Sequence, residues 1–435
     1  MARTAAAQSP QKETSRGDAM QPQVTLADIE DARRKLLGVI RPTPARFADA
    51  LSRALGRPVI LKPEHLQRAG SFKIRGAYNR ISRLKPGVPV VAASAGNHAQ
   101  GVALASSLTG RASTIFMPDS ASLPKIKATE GYGATVVFGG LTLDDCLTKA
   151  RSFSEEQEAV FVPPFDDPFI IAGQGTVGLE LVDELDHLDW NHGASGLSTL
   201  PSPPPTVLIP VGGGGLIAGT ALALRALRPD IRIIGVEAEG AASMRRSLDL
   251  GVLTTLTSVS TMADGIALRA PGKLTLALVK DLVDDVITVS EEEISQAVLL
   301  LLERAKAVVE PSGAVGLAAV MAGKISGVGP VVAVLSGGNV DPLLLTTIVN
   351  HGLSASGRYL RLRVIFPDRP GSLATLTAEV AALGLNILDV EHHRTGVIIG
   401  INEVEVLLTV ETRNPEHRAE ALAQLRSKGF KAELL

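Results

Sequence analysis

Short β-branched runs alternate with Ala- and Leu-rich helical stretches from residue 88 to residue 335, and few folds accept that order. The apolar runs stand at 88–92, 112–117, 135–138, 207–211, 232–237 and 331–335. Helical spacing is clearest at 99–107, 217–226 and 294–309. Strand alternating with helix predicts an α/β fold with a parallel sheet covered on both faces. Functional groups are then expected beyond the carboxyl ends of the strands. Ahead of this region, 25–37 has helical spacing with Thr25 as a cap. Pro42 and Pro44 impose an extended stretch, and 58–62 (P-V-I-L-K) reads as a short buried strand.

From residue 358 the pattern changes. Y-L-R-L-R-V-I-F (359–366) alternates as a half-buried strand, P-D-R-P-G (367–371) is a turn, and 372–383 is an amphipathic helix. Strands at 386–390 and 404–411, a helix at 415–427 and a strand at 430–435 complete the order βαββαβ, the ferredoxin-like split unit. A chain of 435 residues is expected to hold two or three domains. We place a disordered tail at 1–22, a larger α/β unit at 23–350 with a smaller lobe at about 88–165, a linker at 351–357, and the βαββαβ unit at 358–435. The Pro-, Ser- and Gly-rich stretch 190–205 reads as a surface insertion.

Composition removes several classes of function. A net charge of -2 with 3% aromatic residues offers neither a basic field nor stacking rings for nucleic acid. No apolar run reaches the length of a membrane span, and residues 1–22 have no apolar core of a secretory signal. Cys146 is the single cysteine, so no intramolecular disulfide forms; a cytoplasmic location is expected.

Four segments carry chemistry. In G-S-F-K-I-R-G-A (70–77), Lys73 sits between glycines that let the backbone approach a ligand. Partial desolvation there lowers an amine's pKa and frees its lone pair. Gly212, Gly213, Gly214 and Gly215 follow an apolar strand and open a helix, which presents backbone N–H groups to a phosphate. Gly212, Gly214 and Glu237 only partly imitate a dinucleotide fingerprint. S-A-G-N-H (94–98) follows a strand and starts a helix, a place that suits a carboxylate. S-G-G-N (336–339) ends the last strand.

In this order the segments resemble the fold-type II, tryptophan synthase β-like enzymes that use pyridoxal 5'-phosphate (PLP), most closely the threonine/serine dehydratases. The βαββαβ unit, with D-R-P-G-S-L (368–373) and L-G-L-N-I (383–387), resembles an ACT domain, a regulatory module that binds amino acids. The resemblance implies Lys73 as the catalytic, Schiff-base lysine, with Phe72 beside it. It implies phosphate binding at Gly212, Gly213, Gly214, Gly215 and Leu216, and Asn97 at the 3'-oxygen. Ser336 would stand by the pyridine nitrogen and Glu310, in V-E-P-S-G-A, near the ring. M-A-D-G-I-A (262–267) also matches a family pattern. Ser94, Ala95, Gly96, Asn97 and His98 would take the substrate carboxylate; His98 reads as a packing or hydrogen-bonding residue rather than a general base. The reaction implied is β-elimination and deamination of L-threonine, and of L-serine, to the 2-oxo acid and ammonia, with 2-oxobutanoate as the product from threonine.

Two departures matter. Ala95 stands where serine racemases of this fold carry a serine base, which speaks against racemization. Glu237 and Glu239 match a cation site of some relatives, but Ser243 stands at the later acidic position, and no metal is expected. His392 and His393, adjacent on a strand, face opposite ways and make a poor ligand pair. Serine dehydratase, hydroxyaspartate dehydratase and β-replacing synthase share these motifs. A non-catalytic amino-acid sensor would not need Lys73, and a nucleotide-binding Rossmann protein leaves G-S-F-K unexplained. The resemblance further implies a homodimer or homotetramer and an amino-acid effector at Asp368, Gly371, Asn386 and Ile387.

Overall fold

A computed structural model describes residues 24–188, 203–394 and 400–435. The expected tail at 1–22 and most of the expected insertion at 190–205 lie outside the described residues.

The larger sheet has six strands in the order Arg46–Phe47, Val59–Lys62, Val331–Val334, Thr206–Pro210, Arg232–Ala238 and Asp285–Val289. Only the short edge strand Arg46–Phe47 runs antiparallel to its neighbour; the other pairings are parallel. Its strands are apolar on both faces because helices cover both. Ile60, Val207, Ile209, Val332 and Val334 enter one core. Val59, Leu61, Leu208, Val331 and Ala333 enter the other. That division is the period of two that a strand imposes.

A second parallel sheet orders Thr135–Phe138, Ser113–Met117, Val90–Ala93 and Val160–Phe161. The third sheet is antiparallel and orders Asn386–His393, Glu403–Glu411, Tyr359–Pro367 and Lys431–Leu434. Leu360, Leu362, Val364 and Phe366 face its helices, Ser372–Ala382 and Pro415–Ser427.

Helix Leu26–Leu36 starts at Thr25, whose hydroxyl and the Asp28 carboxylate form a reciprocal cap. Helices Pro168–His187 and Gly215–Leu227 pack backbone to backbone: a Cβ on Gly219 would lie 2.2 Å from the Ile171 carbonyl oxygen. This close approach fixes where the helix after the tetraglycine run begins.

Two elements differ from the sequence expectation. The helix expected over 294–309 is Glu291–Leu300, followed by a π turn Leu301–Ala305 and by Lys306 in left-handed backbone at φ 56°. Ala307 and Val309 are then buried and Val308 exposed, the alternation of an extended segment. Pro311 holds Glu310 in extended backbone and starts the next helix, Pro311–Met321. The expected linker at 351–357 is helical through residue 355, as the end of Pro342–Ala355. Gly352 packs against the Ser295 backbone there, and a Cβ would lie 2.9 Å from the Ser295 oxygen. Arg358 ion-pairs with Glu303 across the junction, and the Arg418 guanidinium donates to the Ser354 carbonyl at 3.3 Å. Among the described residues, no helix is long and apolar enough to cross a membrane.

Candidate active site

The carboxyl ends of the two parallel sheets face a common cleft. Lys73 opens helix Lys73–Ile81, and an isolated bridge pairs Ser71 with Gly337, tying the lysine segment to S-G-G-N. The Phe72 N–H donates to the Ser336 carbonyl at 3.2 Å, and the Gly338 N–H to the Gly70 carbonyl at 2.9 Å. Gly70, at φ +69°, must be glycine: a Cβ would lie 2.2 Å from Asn339 Oδ1.

A buried charge network fixes this helix from below. Arg75 is 0% exposed and bonds Glu64 twice, at 2.8 and 2.8 Å. Its guanidinium also bonds Glu180 at 2.6 and 2.8 Å and Thr176 at 3.0 Å. Lys62, equally buried, donates to Glu180 and to Glu184 at 2.7 Å each. Carboxylates on both sides hold the Arg75 pKa above its ordinary value despite burial.

The Lys73 amine donates to the Pro164 carbonyl at 3.0 Å and lies 5.3 Å from the Phe72 ring centre. Burial lowers its pKa to about 8, against the opposing pull of Glu310. Glu310, 3% exposed, is pushed up to about 7 by burial and by Asp264, while a hydrogen bond from Asn97 opposes the rise. Asn97 Nδ2 donates to Glu310 Oε1 at 2.6 Å, and Asn339 Nδ2 donates to Asn97 Oδ1 at 2.8 Å. His98 Nε2 donates to the Val162 carbonyl at 2.9 Å. Burial and the neighbouring Lys73 lower its pKa to about 3 and keep the ring neutral, with its Nε2 hydrogen committed to the Val162 carbonyl.

Phe72, Lys73, Asn97, Gly212, Gly213, Gly214, Gly215, Leu216, Glu310 and Ser336 line one cavity. An adjoining cavity shares Lys73, Asn97 and Glu310 and adds Ser94, Ala95, Gly96 and His98. Ser94 Oγ accepts the Gly96 N–H at 3.2 Å ahead of helix Asn97–Leu108. Lys125 and Asp264 form an ion pair among the residues lining this second cavity. Asp368, Gly371 and Asn386 stand exposed on the third sheet's unit, well away from the cleft in sequence, and Ile387 is half-buried.

The tetraglycine run makes a cradle. Among the described residues, the N–H groups of Gly212, Gly213 and Gly214 donate to no protein acceptor. Helix Gly215–Leu227 starts directly behind them with no side-chain cap. A Cβ on Gly212 would lie 2.9 Å from Ile266 Cα, and one on Gly213 would lie 2.2 Å from Phe165 Cδ1. Unpaired N–H groups at a helix start, within reach of a buried amine, suit a ligand with a phosphate at one end and an aldehyde at the other.

Phe165, Gln174, Leu268 and Ser312 also line the first cavity, and motif reading missed them. P-P-F-D-D-P (163–168) held a usable signal, because two aspartates before a proline are strong helix starters. Asp167 does cap Pro168–His187.

Residues 36–337 match the family described as pyridoxal-phosphate dependent enzyme, and residues 360–427 match the ACT domain. The chain is 43% identical to the L-threonine ammonia-lyase of Thermotoga maritima, over 95% of this chain and 100% of that protein. It superposes on the crystal structure of T.th. threonine deaminase with a TM-score of 0.67 at 40% identity, covering 73% of this chain and 99% of that one. Maize serine racemase gives a TM-score of 0.68 at 34% identity, covering 76% and 98%. Family, fold and a buried lysine sharing one cavity with the tetraglycine run agree, and the chain belongs to the pyridoxal-phosphate dependent enzymes of fold type II, followed by an ACT domain.

Proposed function

We propose that this chain converts L-threonine to 2-oxobutanoate and ammonia, and deaminates L-serine by the same route. The observation that carries the reading is the shared cavity of Lys73, with its pKa near 8, and the unpaired N–H groups of the tetraglycine run. Relatives named for threonine ammonia-lyase and threonine deaminase activity support it.

Gly212, Gly213, Gly214, Gly215 and Leu216 would hold the phosphate of PLP, Lys73 its aldehyde carbon, Asn97 its 3'-oxygen and Ser336 its ring nitrogen, with Phe72 and Glu310 alongside. Bound there, PLP supplies an electron sink for the electron pair left when a substrate α-proton departs. A serine hydroxyl does not hold the ring nitrogen protonated as a carboxylate would, which favours loss of a β-leaving group over transamination. The N–H groups of Ala95, Asn97 and His98 and the Ser94 hydroxyl would receive the substrate carboxylate at the start of helix Asn97–Leu108, with Gly96 between them. The Lys73 amine takes the α-proton; near neutral pH an appreciable fraction of it is unprotonated. Ala95 offers no base on the opposite face, so a proton is not returned with inverted configuration. The β-hydroxyl leaves as water with a proton that balances the one taken from the α-carbon, and the released enamine tautomerises and is hydrolysed by water to 2-oxobutanoate and ammonia.

The family matches support a catalytic unit over about 23–350 and a regulatory unit over 358–435. We place an amino-acid effector at Asp368, Gly371, Asn386 and Ile387, in a homodimer or homotetramer. Gly371, at φ +90°, precedes helix Ser372–Ala382 without a side-chain cap, which leaves N–H groups for a carboxylate.

Purified protein should release 2-oxobutanoate and ammonia from threonine and show the absorbance of bound PLP. Lys73→Ala should lose both. A Lys73→Ala protein that deaminates threonine at the normal rate would sink the assignment.

A further inference from the structure

The tetraglycine run is held from behind by a residue outside the cavity lining. Thr275 lies in the first turn of helix Lys273–Leu282 and is 0% exposed. Its hydroxyl donates to the Gly213 carbonyl at 2.6 Å and accepts the Gly272 N–H at 3.0 Å; that N–H also approaches the Gly213 carbonyl, at 3.3 Å. In a planar trans peptide the C=O and the following N–H point in opposite directions. Anchoring the Gly213 carbonyl on the Thr275 side therefore turns the Gly214 N–H toward the cavity that Gly214 lines. A peptide between two glycines has little intrinsic preference to hold that orientation. Gly214 itself sits at φ +90°.

Thr275 is in turn fixed by Asp166. The Asp166 carboxylate accepts the N–H groups of Lys273 at 3.0 Å, Leu274 at 3.0 Å and Thr275 at 3.2 Å. Gly272 lets it come this close, since a Cβ there would lie 2.2 Å from Asp166 Oδ1. Phe165, the neighbour of Asp166, packs on Gly213 and Gly215. P-P-F-D on one side of the run and P-G-K-L-T on the other thus form one support.

We propose that Thr275 is a positioning residue for phosphate recognition: its hydroxyl, held by the Asp166-capped helix start, sets the Gly213–Gly214 peptide so that the Gly214 N–H faces the phosphate. This rests on the reading that the tetraglycine run takes the phosphate of PLP.

The test separates phosphate from ring. Apoprotein is titrated with PLP and with pyridoxal, which has the aldehyde and ring but no phosphate, by ligand absorbance. Thr275→Val should weaken PLP by roughly 10- to 100-fold, the worth of one hydrogen bond to a charged oxygen, and leave pyridoxal within about twofold. Thr275→Ser, which keeps the hydroxyl, should bind PLP like the wild type. If Thr275→Val weakens both ligands equally, or neither, or if Thr275→Ser behaves like Thr275→Val, the proposal fails. Should Thr275→Val not fold, Asp166→Asn serves, and a loss confined to PLP is again expected; equal loss of both ligands overturns the proposal. Wild-type protein that binds pyridoxal as tightly as PLP would overturn the phosphate reading itself, and this inference with it.

Discussion

Lys73 should react with an aldehyde as an amine of pKa about 8, not 10.5. The cause is burial, and the consequence is a change in the fraction of free amine. At pH 7 a lysine of ordinary pKa is neutral in about three molecules per ten thousand, and one of pKa about 8 in about one of ten, a gain of roughly 300-fold. The assay is the initial rate at which apoprotein takes up PLP across a pH series. The rate should rise about tenfold per pH unit below about 8 and level off above it. The Glu310 carboxylate favours the ammonium, so Glu310→Gln should move the midpoint down. Stability carries the same sign. The unfolded chain binds the proton up to pH 10.5 and the folded apoprotein only to about 8, so the contribution of Lys73 to stability rises as pH passes through that window. Lys73→Met should remove that rise. A midpoint near 10.5, or a rate independent of pH, would refute the argument that the cleft desolvates this amine.

Arg75→Ala should destabilise the protein by about 3–5 kcal/mol in denaturant unfolding, because it strands the fully buried Glu64 carboxylate; a loss below about 1 kcal/mol would mean the network is relaxed by water. Gly219→Ala should cost about 1–3 kcal/mol by the same measurement, since its Cβ would press on the Ile171 carbonyl; an unchanged midpoint would show that the two helices can separate freely. Gly213→Asp drives a side chain into the Phe165 ring and adds a negative charge beside the expected phosphate, so it should weaken PLP binding severely at some cost in stability; wild-type affinity in a titration refutes the cradle. Isoleucine or valine should shift the threonine kinetics of the full-length enzyme, with a coupling of about 1–3 kcal/mol, and not those of a form lacking residues 358–435. If calorimetry detects no binding and the kinetics do not move, the effector site is wrong.

The architecture was legible because its signals are local. Period-two runs and 3.6-residue spacing lie within windows of a few residues, so the parallel sheets and the βαββαβ unit could be read directly. Lys73 and the four glycines announced themselves in the same way, since chemistry at a backbone turn demands small residues in sequence. What stayed hidden depends on distance through space. The expected helix over 294–309 stops early because Ala307 and Val309 are claimed by the core beneath the larger sheet, which no window of residues records. The chain Glu310–Asn97–Asn339 joins residues 213 and 242 positions apart, and folding alone brings them together. Sequence reading singled out neither Thr275 nor Asp166; only the packed structure sets them behind Gly213. The lowered pKa of Lys73 follows the same rule, because desolvation is summed over every atom around the amine, and most of those atoms come from distant parts of the chain.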